Sequence, residues 1–344
     1  MKPRVIATFI LLVATSALAA SPPGQPAVPR LAVLPFFTPS DRDYGVLISD
    51  RLVTSLFHHR DVPSLNTRRF ELVEPDALDD ERMSEVLGSL PDLKPENLEV
   101  LRRACPAEFV ILGKQIIPQR VMNPGVKNID ISIIHLESGE VIWTDRIKHD
   151  VRYIWLSKDW QGGESFVRKI ITRLGFVEYD RQLPVFDREF VPTNISLMPF
   201  YNIDNPILVK AAERFVHQGL IEGKVFKVVD KGKQRLPRAE SAARERAKGK
   251  KADAIFIGSM MDAGMEEAIE ENVTAAARLV DVNTGRILWS GSSSDRRVWR
   301  RQTPDAMAEF VSNQLVADFF ETIKRTEAQR MEKLRRRIGI RIIR

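Results

Sequence analysis

The chain has 344 residues, with 52 Lys and Arg against 46 Asp and Glu for a formal charge of +6, and it contains one cysteine. At the usual size of a domain, this length predicts two units, each large enough to bury a core. Cys105, alone in the chain, excludes an intramolecular disulfide framework; nine of the basic residues against Glu327 and Glu332 lie in Lys324 to Arg344, so the rest of the chain is slightly acidic and a nucleic-acid-binding body is excluded.

Residues 1–19 set Lys2 and Arg4 before an apolar stretch, Val5 to Val13, and a small-residue Ala17-Leu18-Ala19 site. This is the pattern of a cleaved secretory signal. No segment approaches the roughly 20 apolar residues of a membrane helix, so the mature protein is expected to be exported and soluble. No cysteine stands near the cleavage site to take a lipid. Residues 20–29 form a proline-rich, extended leader.

The next elements occur twice. Leu31 to Phe37 (LAVLPFF) returns as Ile195 to Tyr201 (ISLMPFY), Ala107 to Gly113 as Ala252 to Gly258, and Ser138 to Trp143 as Thr284 to Trp289. Arg152 to Trp155 then matches Arg296 to Trp299, and Phe166-Val167 matches Phe310-Val311. The last four offsets are 145, 146, 144 and 144, whereas Pro35 to Pro199 is 164, which puts about twenty extra residues in the first copy between Phe37 and Ala107. Each copy reads as a strand ended by a proline that lacks a backbone donor, a helix (about Gly45 to His58; Pro206 to Gln218), a short strand (Phe70 to Val73; Phe226 to Val229) and a second helix. Three strands follow (Phe109 to Ile116, Ile129 to Leu136, Val141 to Ile147; Ile255 to Met260, Val273 to Val280, Ile287 to Ser290), and a helix closes the copy (Glu164 to Leu174; Pro304 onward). The last two strands join through Ser138-Gly139 and Thr284-Gly285, turn chemistry in which glycine accepts a positive φ.

The pattern predicts an α/β fold of the α+β type: two tandem copies of a mixed β-sheet packed by helices, plus a C-terminal basic helix. The expected divisions are a first domain over 30–183, a linker over 184–192, a second domain over 193–323 and a basic tail over 324–344. Cys105, at a helix end running into an apolar strand, reads as a buried small residue in preference to a reactive thiol or a dimer bridge.

An AVLPF-type first strand, an A-(D/E)-x-hydrophobic-x-(L/I)-G third strand and an (S/T)-G-x-(I/V)-(L/I)-W hairpin, in that order and twice over, resemble the periplasmic domains of the CsgG, TolB amino-terminal and LpoB type. The flagellar ring protein FlgT is the multidomain analogue. The resemblance implies a periplasmic or secreted, non-enzymatic part in a bacterial envelope machine: a flagellar ring, secretion or surface-polymer export, or regulation of cell-wall synthesis. It implies envelope proteins as partners and a ring or homo-oligomer as an assembly. The chain departs from the group in lacking a lipid-accepting cysteine, pore-length hairpins and propeller repeats. The other reading is a soluble periplasmic receptor that binds a small ligand or cation between the copies.

No catalytic constellation is legible. There is no Gly-rich phosphate loop, no G-x-S-x-G and no cysteine beside a base, so neither an enzyme nor a cofactor is expected. His58 and His59 are neighbours on a helix and do not share a face; they read as a solvated helix end. Asp79-Asp80-Glu81 and the Glu266-Glu267, Glu270-Glu271 cluster read as solvated charged loops, since the alternating ligands of a calcium loop are missing. Trp143 and Trp289 read as aromatics packed on a sheet. Trp155 with Arg152, and Trp299 with Arg296 and Arg297, form a candidate partner surface, aromatic and arginine side chains being typical interface anchors. Arg335, Arg336, Arg337, Arg341 and Arg344, interleaved with isoleucines, form a candidate contact with an anionic surface, against a frayed, solvated tail.

Overall fold

A computed structural model describes residues 28–38, 42–62, 67–76, 78–90, 92–116, 126–150, 161–174, 192–201, 206–231, 240–262, 270–298 and 304–338. The first half runs β1 (Arg30–Val33), α1 (Arg42–His59), β2 (Asp61–Val62), β3 (Thr67–Arg68), β4 (Glu71–Val73), α2 (Asp80–Gly88), α3 (Pro95–Ala104), β5 (Phe109–Ile116), β6 (Val126–His135), β7 (Val141–Asp150) and α4 (Gln161–Arg173). The second runs β8 (Asn194–Leu197), α5 (Pro206–Glu222), β9 (Lys227–Lys231), α6 (Glu240–Gly249), β10 (Ala254–Asp262), β11 (Glu270–Asp281), β12 (Ile287–Val298) and α7 (Pro304–Ile338).

Each half forms a five-stranded mixed sheet, ordered β4-β1-β5-β6-β7 in one and β9-β8-β10-β11-β12 in the other. In both, the first strand lies parallel to its two neighbours and the last three strands are antiparallel. The register shifts at Ile133/Ile134 in β6 and at Leu279/Val280 in β11, places 146 residues apart. Gly139 and Gly285 take φ of 75° and 71° in the two corresponding hairpin turns, where a side chain would be strained. The α/β class and the two sheets expected from the repeat are therefore present.

The extra residues of the first half fall in two places. The offset is still 164 in the first helix, where Ile48, Leu52 and Leu56 match the buried Ala212, Val216 and Leu220. It drops by eight, to 156, at Phe70 and Phe226, after the hairpin of β2 and β3 that spans 61–68. It drops by a further eleven, to 145, at Ala107 and Ala252, across the stretch that holds α2.

The proline departs from expectation. Regular strand ends at Val33 and Leu197, two residues earlier, but pairing then resumes. Leu34 N–H donates to the Ile111 carbonyl at 3.0 Å and Phe37 N–H to that of Gly113 at 2.8 Å, so three steps on one strand oppose two on its neighbour. Met198 and Tyr201 repeat this against Phe256 and Gly258, at 2.9 and 2.7 Å. Pro35 and Pro199 thus occupy a bulge, where no donor is needed, instead of a strand end. The bulge turns Phe36 and Phe200 inward, each onto a glycine of the third strand: a Cβ on Gly113 would lie 2.5 Å from the Phe36 ring, and one on Gly258 2.6 Å from that of Phe200. This contact links the two most recognisable motifs of the repeat.

Alternation along the strands separates two faces in the first sheet. Leu31, Val33, Ile111, Ile131 and Ile133 join a cluster with α1 and α4, while Ala32, Leu34, Val110, Leu112 and Ile134 pack with Met83, Val86 and Leu101 of α2 and α3. The first cluster continues without a break into the second half. Helix α1 explains this continuity. It serves its own sheet and also lies across β10, β11 and β12 of the other, so Val46 to Val53 is buried on every side. The far face of the second sheet is covered by α5 and α7, where Phe319 meets Trp289 edge-on with ring centroids 4.8 Å apart. The indole Nε1 of Trp289 donates to Thr322 Oγ1 at 3.2 Å, and Phe256 stacks on the same ring. Trp143, in the matching position, is partly buried against the core, so both tryptophans pack on their sheets.

Candidate functional site

The most concentrated chemistry among the described residues lies at the seam between the two halves. Arg278 projects from β11 toward α1, and its Nη1 is 2.5 Å from Asp50 Oδ1. Its Nη2 donates to Glu74 Oε1, just beyond β4, and Ser259 Oγ of β10 donates to the other oxygen of Asp50. Side-chain exposures of 9%, 5% and 2% for Arg278, Asp50 and Glu74 put all three out of water. One turn along α1, Thr54 Oγ1 and Ser290 Oγ of β12 are 2.8 Å apart. At the seam's edge, Glu74 N–H donates to the Gly285 carbonyl, Arg286 pairs with Glu71 at 2.9 Å, and Ser241 N–H at the start of α6 donates to Asp76 Oδ1.

One arginine held between two carboxylates, with hydroxyls on the flanks, can fix the register of two packed bodies. Removing one member would leave uncompensated charge in a dry site. Among the described residues, the first half has no such cluster at the equivalent place: Ser132 stands where Arg278 does, hydroxyl to hydroxyl with Thr144 at 3.2 Å, and Arg214 stands where Asp50 does. The seam is thus a feature of this pairing and not of the repeated unit. Reading each copy separately misses it. Asp50 inside an apolar helix and Arg278 inside AAARLVD were the available signals.

The sequence-predicted partner surface is only partly described. Arg152, Trp155 and Trp299 lie outside the described residues. Arg296 and Arg297 fall on β12, paired in register with Asn272 and Glu271 of β11. Of the basic tail, Arg335, Arg336 and Arg337 lie on α7, which runs unbroken past position 324, while Arg341 and Arg344 lie outside the described residues.

Two charged features are corrected. His59 is 3% exposed, not solvated, at the end of α1. Asp79 is the N-cap of α2, accepting from Arg82 N–H at 2.8 Å, and Asp80 and Glu81 occupy the first turn, where the helix dipole favours acids. Of the other acidic cluster, Glu270 and Glu271 open β11, and Glu266 and Glu267 lie outside the described residues.

Cys105 is buried, and burial pushes its thiol well above the usual range, with Asp76 adding to the shift. A shallow depression beside it is lined by Arg30, Arg102, Pro106 and Glu108. Arg102 is already engaged there, donating to the Leu136 and Glu137 carbonyls at 2.8 and 2.7 Å. Among the described residues, no three His, Cys, Asp or Glu side chains converge as for a metal, and no helix is long and apolar enough to cross a membrane.

No family model matches the sequence, and no curated protein matches it. Solved structures to which the chain is similar include the PelC dodecamer from Paraburkholderia phytofirmans, 18% identical over 39% of this chain and 90% of that one, with a TM-score of 0.32. A lipoprotein from Neisseria meningitidis is 18% identical over 36% of this chain and 95% of that one, at a TM-score of 0.28. LpoB from E. coli is 13% identical over 43% and 82%, at 0.19. LpoB is one of the groups that the sequence motifs resemble, but TM-scores this low assign no role.

Proposed function

We propose that the protein is a non-enzymatic exported subunit of a bacterial envelope assembly, structural or regulatory in role. The observation that carries this reading is the seam. Two sheets of like topology share one helix and one continuous core, with Arg278 clamped between Asp50 and Glu74. The result is a single stiff body, which suits a part that holds partners at a fixed spacing. The repeated motifs, which resemble envelope-assembly domains, supply the setting. The other reading, a receptor with a ligand cleft between the copies, meets a seam that α1 fills among the described residues.

Crosslinking in intact cells followed by affinity capture tests the proposal. The expected result is a complex of defined stoichiometry with named envelope components, weakened by Arg296→Glu with Arg297→Glu on β12. A partner-free monomer whose melting temperature rises with a single metabolite would overturn it.

A further inference from the structure

Helix α7 does two jobs along its length. From Met307 to Thr326 it is stitched to the second sheet, with Val311, Leu315, Phe319, Ile323 and Thr326 buried on one stripe. At Glu327 this stops: residues 327–332 are all exposed, while the helix backbone continues to Ile338, twelve residues or about 18 Å beyond Thr326 at the usual rise per residue. A solvated helix this short is marginal in water unless its sequence favours helix. Here the sequence does, being built largely from Glu, Ala, Gln, Arg, Met, Lys and Leu.

The pattern of that extension differs from a merely soluble helix. Positions 331, 334 and 338, which hold Met, Leu and Ile, fall on one narrow stripe by helical spacing, and Met331 is 51% exposed. Positions 330, 333, 335, 336 and 337 flank the stripe with Arg or Lys. Beyond Ile338 the sequence GIRIIR continues the same mixture. The segment from Lys324 carries nine basic residues against two acidic, while the other 323 residues sum to about neutral, so charge is concentrated where the helix leaves the body.

We propose that the C-terminal end of α7 docks on the surface of an anionic phospholipid bilayer. Its apolar stripe would enter the headgroup boundary and its Arg and Lys flanks would bind lipid phosphates. A strongly basic polar face with a narrow apolar stripe is the form of a helix that lies in a membrane interface without crossing it. An acidic protein partner would need the charges but not the apolar stripe, and a second copy offers a body that is only slightly acidic overall. The inference is independent of the envelope role above. The anchor is non-covalent and reversible, and its strength should fall as salt rises.

The test is co-sedimentation of the exported chain with vesicles of phosphatidylcholine alone, or with about one-quarter phosphatidylglycerol to give an anionic surface. All variants keep the same N-terminus, so differences between them report α7 alone. The parent should bind only the anionic vesicles, and salt should weaken it. Arg335→Glu with Arg336→Glu and Arg337→Glu should reduce partitioning about a hundredfold or more, and Met331→Gln with Leu334→Gln should reduce it about tenfold at unchanged charge. Removing residues 327–344 should abolish it and leave the melting temperature unchanged, because the buried stripe ends at Thr326. The proposal is overturned by equal binding to neutral vesicles, by a charge-reversed tail that binds like the parent, or by an apolar-pair variant that binds like the parent, which would show that the stripe does not enter the bilayer. Loss of vesicle binding with the crosslinked envelope complex intact would remove this inference and leave the proposed function standing.

Discussion

Asp253, just before β10, accepts three hydrogen bonds through one oxygen: from Thr193 N–H at 3.0 Å, Thr193 Oγ1 at 2.8 Å and Asn194 N–H at 2.8 Å. Burial by itself would raise the carboxyl's pKa, but the Asn194 and Thr193 donors outweigh it and hold the group below its ordinary value. The charged form is therefore favoured by folding. Its contribution is complete above the unfolded pKa of about 3.9 and is lost as pH falls through the lower folded pKa. Asp253→Asn should cost about 1 kcal/mol or less at neutral pH, since the site is partly exposed. In urea titrations across that range, the gap between variant and parent should close below about pH 4. A gap that stays constant would show that the charge plays no part. This Asp was legible only as part of a motif, A-(D/E)-x. Its role in pinning the linker end of β8 needed the strand that it caps.

At the scale of elements, the succession of strands and helices, the paired hairpins and the closing helices followed from the repeat, whereas the order of strands within each sheet did not. Phe109 to Ile116 was placed to the residue, because an apolar run between a helix end and a polar loop leaves little freedom. Two things were not legible. The β-hairpins are longer than expected, β12 continuing from Ser290 to Val298, because GSSSDRRV lacks the apolar alternation that marks a half-buried strand. The second is the role of α1: a helix buried all round shows no amphipathic stripe, and Asp50, Arg51 and Thr54 break its apolar character without revealing that a second sheet waits for them. The cluster that they meet is testable. Arg278→Met should lower stability by about 3–5 kcal/mol by stranding two buried carboxylates, and joint replacement of Asp50 and Glu74 by Leu in that background should restore most of it. If the triple variant is no more stable than the single, denaturant unfolding will have shown that the seam is held by packing alone.

For the whole molecule, the continuous core makes the two halves one thermodynamic unit. Unfolding followed by calorimetry should give one transition, with calorimetric and van't Hoff enthalpies in agreement, even though the length alone predicts two domains. Two resolved transitions would mean that the seam is an ordinary domain contact that opens first. The length was right about the number of sheets, yet it could not report how they are joined, because that depends on α1 serving both and on residues such as Asp50 and Arg278 that differ between the copies.

The sharing of α1 also bears on how such a chain can change over generations. A recombination event in the connecting segment, the obvious place to exchange one half for another, would deliver a second sheet without the helix that covers its near face and would leave α1 with Asp50 facing nothing. Viable chimeras must therefore carry α1 and Glu74 together with β10 to β12, so the heritable module boundary runs through the first half of the gene and not between the two sheets.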